Sequence, residues 1–227
     1  MLTLGFDTAT GVGTVGLVDD EKVIGEYSFG ADESQSEKLL SSIDLLLTES
    51  DLDVSDVKKI AVSRGPGSFT GLRIGISTAK GLALGLDVPL VGVPLTTCYY
   101  TRVQNYDGPV YTVIKDRRKL IYCAGFDRSG EKVDSEESIA VSDLEARIDR
   151  RFDGSGKPVL IVGDAVPEHR DKLSGFDNVI LSEGELNYPS GLQVAFLGEG
   201  IREEEGLESL EPLYAQRPIA EVNWEEN

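Results

Sequence analysis

Ser63-Arg64-Gly65-Pro66-Gly67-Ser68-Phe69-Thr70-Gly71-Leu72-Arg73-Ile74-Gly75-Ile76-Ser77-Thr78-Ala79-Lys80-Gly81-Leu82-Ala83-Leu84-Gly85-Leu86-Asp87 begins at the end of an apolar strand, Ile60 to Ser63. It passes through a turn with Pro66 between glycines and continues as leucine, isoleucine and alanine at helical spacing. Gly71, Gly75, Gly81 and Gly85 fall inside that helix, where each costs about 1 kcal/mol relative to alanine. Such a cost calls for a compensating contact: a backbone approached closely by another element, or a loop shaped around a phosphate. A phosphate loop of the Gly-x-x-x-x-Gly-Lys-Ser/Thr type is absent. Small residues four apart instead suit close helix packing, either on the chain's own sheet or against a second subunit. Because the glycines spread around much of the helix, the second subunit is the favoured expectation.

The surrounding composition sets limits. The chain has 227 residues, 40% of them hydrophobic and 27% charged, as expected of a globular protein with a sizeable core. Its formal net charge of -18 opposes direct nucleic-acid binding, which draws on clustered Lys and Arg, and fits a solvated surface or docking to a basic partner. Cys98 and Cys123 read as buried small hydrophobes in a reducing compartment rather than a disulfide framework. The single histidine, His169, excludes metal sites that need two. Met1 to Asp7 turns acidic too soon for a signal peptide, and no apolar run is long enough to span a bilayer, so the expectation is a cytoplasmic protein.

Along the chain, Leu2 to Phe6, Val12 to Val18 and Lys22 to Ser28 read as an antiparallel meander. Leu39, Leu40, Ile43, Leu46 and Leu47 stripe a helix from Glu37 to Ser50, and Phe69 to Leu86 forms the next. Pro89 to Val93 is a strand and Thr96 to Val103 a helix, before a break at Asn105 to Pro109. The order then recurs in outline. Val110 to Ile114, Leu120 to Phe126 and Glu131 to Ser138 are strands, and Val141 to Arg151 is a helix capped by Ser142. Val159 to Val162 and Asn178 to Leu181 are further strands, and Ser190 to Glu205 a helix capped by Ser190. Two halves that each open on a meander indicate a duplicated α/β architecture.

Candidate chemistry is sparse. Asp7-Thr8-Ala9-Thr10 is an acidic turn between strands, of the kind that holds a nucleotide phosphate in the actin-like kinases and chaperones. Asp116 lies where a second such turn would fall in the second half. Good turn-forming residues explain the first stretch equally well, and both readings stand. Ser68 lacks the Gly-x-Ser-x-Gly setting of a nucleophile, because Thr70 replaces the second glycine. His169, within Pro167-Glu168-His169-Arg170, reads as a surface histidine.

Arg64-Gly65-Pro66-Gly67-Ser68-Phe69-Thr70-Gly71-Leu72-Arg73-Ile74-Gly75, with Lys80-Gly81-Leu82-Ala83-Leu84-Gly85, closely resembles the signature of the bacterial TsaB (YeaZ) family. Leu4 to Thr10, Pro89 to Val93, and Pro212-Leu213-Tyr214 with Arg217 and Trp224 are similar to other parts of it, so the resemblance spans nearly the whole chain. It implies an α/β, actin-like (ASKHA, ribonuclease H-like) duplicated fold of two lobes, each a mixed central sheet flanked by helices. The lobes would comprise residues 1–104, joined by 206–227, and residues 105–205.

The resemblance further implies a non-catalytic scaffold and activating subunit in formation of tRNA threonylcarbamoyladenosine. Its partners would be a second copy of itself, the catalytic paralogue TsaD and the ATPase TsaE. Threonylcarbamoyl would pass from threonylcarbamoyl-adenylate to the adenosine beside the anticodon, with tRNA met only through the complex and no membrane involved. No cofactor is expected, ATP being used by the partner subunits. The shared surface for homodimer and paralogue would be the two long helices. The residues implied are Leu39, Leu40, Ile43 and Leu47 on the first, and Gly71, Arg73, Gly75, Thr78, Ala79, Leu82 and Gly85 on the second. Asp7, Thr8, Thr10 and Asp116 would be a vestige of nucleotide binding.

Two departures stand out. The paralogue's pair of metal-binding histidines is replaced by Ser34-Gln35-Ser36-Glu37, and the family's Asp-Ala-Arg-x-Gly-Glu-Val-Tyr segment reads Asp116-Arg117-Arg118-Lys119-Leu120-Ile121-Tyr122. The alternative is an ATP- or metal-dependent enzyme in its own right. The peptidase label once attached to the family finds little support in a chain with no elbow serine.

Overall fold

The computed structural model describes residues 1–30, 35–116, 120–152, 156–202 and 206–213, without the side chains of residues 35–37. β1 (Leu2–Asp7), β2 (Val12–Asp19) and β3 (Lys22–Gly30) form the expected antiparallel meander. β4 (Lys59–Gly65) then pairs parallel to β1, and β5 (Leu90–Pro94) parallel to β4. The sheet order is therefore β3-β2-β1-β4-β5.

β6 (Val110–Lys115), β7 (Leu120–Phe126) and β8 (Lys132–Ala140) repeat the meander, with β9 (Val159–Val162) and β10 (Val179–Leu181) added in parallel. That second sheet runs β8-β7-β6-β9-β10, the same path traced again. The duplication expected from the sequence is thus present strand for strand, as two actin-like lobes.

α1 (Gln35–Glu49) and α2 (Phe69–Leu86) cover one face of the first sheet. Leu39, Ile43, Leu46 and Leu47 of α1 meet Leu4, Phe6, Val15 and Leu17, and Ile76, Ala79 and Ala83 of α2 complete the same core. α3 (Leu95–Thr101) and α6 (Gly191–Gly200) lie between the sheets in a second cluster, with Leu95, Cys98, Tyr99 and Val194 against Val91, Ile114 and Val162. α4 (Val141–Phe152) and α5 (Val166–Leu173) close the outer face of the second sheet through Leu144, Ile148, Val166 and Leu173.

α6 belongs by sequence to the stretch 105–205, but it lies on the first sheet. Gly191 permits that approach: a Cβ there would stand 2.4 Å from the backbone nitrogen of Gly16 on β2. Glu26 fixes the helix start, its Oε1 accepting bonds from Ser190 Oγ at 2.8 Å and Leu192 N at 3.3 Å. A carboxylate at a helix N-terminus is favourable both for the free N–H groups and for the helix dipole.

Three expectations change. α5 has no counterpart in the sequence reading, because charged residues fill its middle and only its ends, Val166 and Leu173, are buried. α6 stops at Gly200, where Ile201 turns extended, short of the expected Glu205. Ser142 lies inside α4 instead of capping it, and its hydroxyl bonds Asp143 Oδ1 at 3.3 Å. Cys98 and Cys123 are both buried and free, as expected. No helix among the described residues is long and apolar enough to cross a membrane.

Candidate functional site

β1 ends in Asp7, and the turn from Asp7 to Thr10 leads back into β2. The N-terminal turn of α2 is fastened to this turn from behind. Thr8 Oγ1 donates to the Gly71 carbonyl at 2.7 Å, and Ser68 N donates to the Ala9 carbonyl at 2.7 Å. Ser68 also caps the helix, accepting from Gly71 N at 3.3 Å. A Cβ on Gly71 would stand 1.9 Å from the Thr8 carbonyl oxygen, and one on Gly75 would stand 2.5 Å from Thr8 Oγ1. These two glycines therefore seat α2 on the chain's own turn. They do not open a face to another subunit, which corrects the expectation for them. Thr10 is occupied locally, its hydroxyl donating to the Val12 carbonyl at 3.0 Å.

Asp7 itself is fully buried. Its Oδ2 accepts from Ala9 N at 3.2 Å, while Oδ1 is enclosed without a hydrogen-bond partner among the described residues. Burial pushes the carboxyl up to about 7, the charge of Asp164 adding to it against the lowering pull of Ser63 and the Ala9 amide. Asp164 follows β9 and is nearly as buried, and burial pushes it up to about 6 despite the bond it accepts from Lys115 N at 2.9 Å. The Tyr99 hydroxyl, also buried without a hydrogen-bond partner among the described residues, is raised well above its ordinary range by burial and by these two acids.

The acid that reaches Asp7 from the second lobe is thus Asp164, which sequence reasoning passed over. Its signal was Gly163-Asp164 directly after an apolar strand. Asp116, the acid expected there, instead accepts from Ser138 Oγ on β8 at 3.1 Å. Arg117, Arg118 and Lys119 beside it lie outside the described residues. Ser34 and the side chains of Gln35, Ser36 and Glu37 do so as well. Among the described residues no group of three or more His, Cys, Asp or Glu is placed to hold a metal.

The outward sides of α1 and α2 form a second candidate surface, and the structure divides the residues expected there. Leu39, Ile43, Leu47, Gly71, Gly75 and Ala79 are buried within the chain and face the sheet or the Thr8 turn, so they are not surface. Leu40, Arg73 and Gly85 are exposed, with Thr78 and Leu82 half-buried. Sequence reasoning missed Leu45, Phe69 and Leu84, which are exposed apolar side chains, Leu84 at 70%. On α2, Phe69, Arg73, Ser77, Gly81 and Leu84 follow one stripe at helical spacing. The Arg73 guanidinium lies 3.9 Å over the Phe69 ring. A Cβ on Gly81 or Gly85 would meet nothing within 4 Å, so these two glycines lie open.

Beside this stripe runs the segment 206–213. Leu210 enters the first core and Leu213 N donates to the Arg64 carbonyl at 2.7 Å, leaving a cleft of about 280 Å³ against Arg73, Ser77 and Lys80. Tyr214, Arg217 and Trp224, expected to carry a C-terminal signature, lie outside the described residues.

Comparison with known proteins adds the family. The family model described as TsaD, tRNA N6-adenosine threonylcarbamoyltransferase, matches residues 30–224. The tRNA threonylcarbamoyladenosine biosynthesis protein TsaB of Bacillus subtilis is 28% identical over 233 residues, covering 100% of this chain and 99% of that protein. TsaB of Escherichia coli is 31% identical over 227 residues, covering 97% of this chain and 96% of that one. The solved structure of YeaZ from Pseudomonas aeruginosa superposes with a TM-score of 0.73 at 23% identity, over 94% of this chain and 99% of that chain. Likeness in sequence over nearly the full length of both chains, with a matching fold, shows that the chain belongs to the TsaB (YeaZ) family.

Proposed function

We propose that this chain is a non-catalytic subunit of the machinery that forms threonylcarbamoyladenosine in tRNA. It docks on the catalytic paralogue TsaD through the outward faces of α1 and α2 and supports transfer of threonylcarbamoyl to the adenosine beside the anticodon. In the absence of the paralogue, the same face pairs two copies of the chain. TsaE and tRNA join through the assembled complex.

The observation that carries this reading is the exposure of Leu40 and Leu45 on α1 and of Phe69 and Leu84 on α2, while most large apolar side chains among the described residues are buried. Large apolar residues flanked by open glycines, with an arginine stacked on an aromatic ring, have the composition of an interface core. The interlobe turn is compatible with a role without nucleotide, since the Thr8 hydroxyl is held by the Gly71 carbonyl and the Ala9 carbonyl by Ser68 N. The net charge of -18 likewise favours contact with tRNA through other subunits.

The test is reconstitution of tRNA modification from TsaD, TsaE, tRNA and threonylcarbamoyl-adenylate, with and without this chain. The reading expects strong stimulation by the chain and no transfer by the chain alone. Transfer at an undiminished rate in its absence refutes it.

A further inference from the structure

The partner-facing helix and the interlobe acids are two ends of one connected unit. On its outer side α2 carries Phe69, Arg73, Ser77 and Leu84. On its inner side the first turn of the same helix holds the β1–β2 turn, through Thr8 Oγ1 to the Gly71 carbonyl and Ser68 N to the Ala9 carbonyl, both at 2.7 Å. Gly71 and Gly75 leave no slack at this contact, since even a Cβ on either would collide with Thr8. The residue before Thr8 is Asp7, whose buried Oδ1 has no partner among the described residues.

We propose that the β1–β2 turn couples the outer face of α2 to the charge state of Asp7 and Asp164, so that partner docking and ionisation of this interlobe pair oppose each other. The proposal rests on α2 being the partner face and names what regulates it.

The physical reason is the cost of burying a second negative charge close to the first. Facing Asp7 are Cys98 and Tyr99 of α3, Asp164 beyond β9 and the Ser63 hydroxyl of β4. Facing Asp164 are Lys115 of β6, Glu168 of α5, and Tyr99. With Asp7 protonated, the turn can remain buried without a second negative charge beside Asp164. Once both acids ionise, two buried negative charges face each other with Lys115 beside only Asp164, and the turn gains by moving toward water. It cannot move without breaking the Thr8–Gly71 bond or carrying the start of α2 with it. Docking on α2 holds the helix start in place, and therefore holds the turn in the arrangement that favours the proton. By linkage, acid must then favour docking.

Hydrogen–deuterium exchange of the isolated chain tests the coupling without any partner. Protection of residues 66–74 is followed from about pH 5 to about pH 8, corrected for the intrinsic exchange rate, in wild type, Asp7→Asn, Asp164→Asn and Thr8→Val. Wild type is expected to lose protection at least about fivefold over this range, the lower end of ordinary coupling strengths. Asp7→Asn and Asp164→Asn should flatten the profile. In Thr8→Val the pH response of residues 66–74 should shrink while the acids still titrate. A flat wild-type profile, or one unchanged by both acid variants, overturns the coupling. Association with TsaD, measured at about pH 6 and about pH 8, should weaken by a similar factor at the higher value. No association at either pH would sink the docking reading alone, since the exchange profile still decides the coupling.

Discussion

Thr8 Oγ1 donates a 2.7 Å hydrogen bond to the carbonyl of Gly71, tying the first turn of the chain to the start of its glycine-rich helix. That bond and the absence of a side chain at Gly71 and Gly75 divide the helix glycines into two kinds. The first pair seats the helix on the chain itself. The second pair, Gly81 and Gly85, lies on open surface.

The division predicts opposite responses to the same substitution. Gly71→Ala would place a methyl group 1.9 Å from the Thr8 carbonyl oxygen, and relief of that clash should cost about 1–3 kcal/mol or more. Gly81→Ala meets no neighbour and should stabilise by up to about 1 kcal/mol through helix propensity. Urea unfolding of the two variants measures both signs.

Leu84, 70% exposed, contributes little to folding of the single chain. Leu84→Asp should leave the unfolding free energy of the dissociated chain within about 0.5 kcal/mol of wild type. It should nevertheless weaken self-association and TsaD binding by about tenfold or more, as loss of an apolar interface anchor does. Sedimentation equilibrium measures association and circular dichroism the stability.

Asp7 gives a stability profile of definite sign. Its carboxyl is raised from an ordinary 3.8 to about 7, so between these values the folded chain holds a proton that the unfolded chain has released. Stability from this group is therefore present in acid and is lost as pH rises through that window. Thermal unfolding should show a Tm that falls across it in wild type. In Asp7→Asn the fall should be clearly smaller, because Asn cannot ionise.

Leu210 anchors the segment 206–213 to the first lobe with 1% of its surface exposed. Leu210→Ala should cost about 2–5 kcal/mol, the usual range for a buried leucine. It should also release the Leu213–Arg64 backbone bond, which amide exchange at Leu213 reports.

The strands were legible because their patterns are local. β1 alternates between faces that are both buried, with Leu4 and Phe6 toward α1 and α2 and Gly5 toward α6, and its meander with β2 and β3 needs only short turns. The same cues recur in the second half, which made the duplication visible. The contact between Thr8 and Gly71 spans 63 positions, and no periodicity reports it. Glycines four apart look the same whether they receive a chain's own turn or a second helix, so Gly71 and Gly75 were assigned to the wrong neighbour. Asp164 was passed over because its significance lies in what faces it across the lobes. Phe69 and Leu84 escaped notice for the opposite reason: apolar residues in an apolar helix suggest burial, and only the structure separates the inner stripe from the outer.

The most direct test of the central claim is the rate of tRNA threonylcarbamoylation by fixed amounts of TsaD and TsaE, titrated with this chain as wild type or as Leu84→Asp. The account predicts saturable stimulation by wild type. It predicts the same curve displaced to at least about tenfold higher concentration for the variant. Identical curves for the two proteins, or an undiminished rate with no chain added, would contradict it.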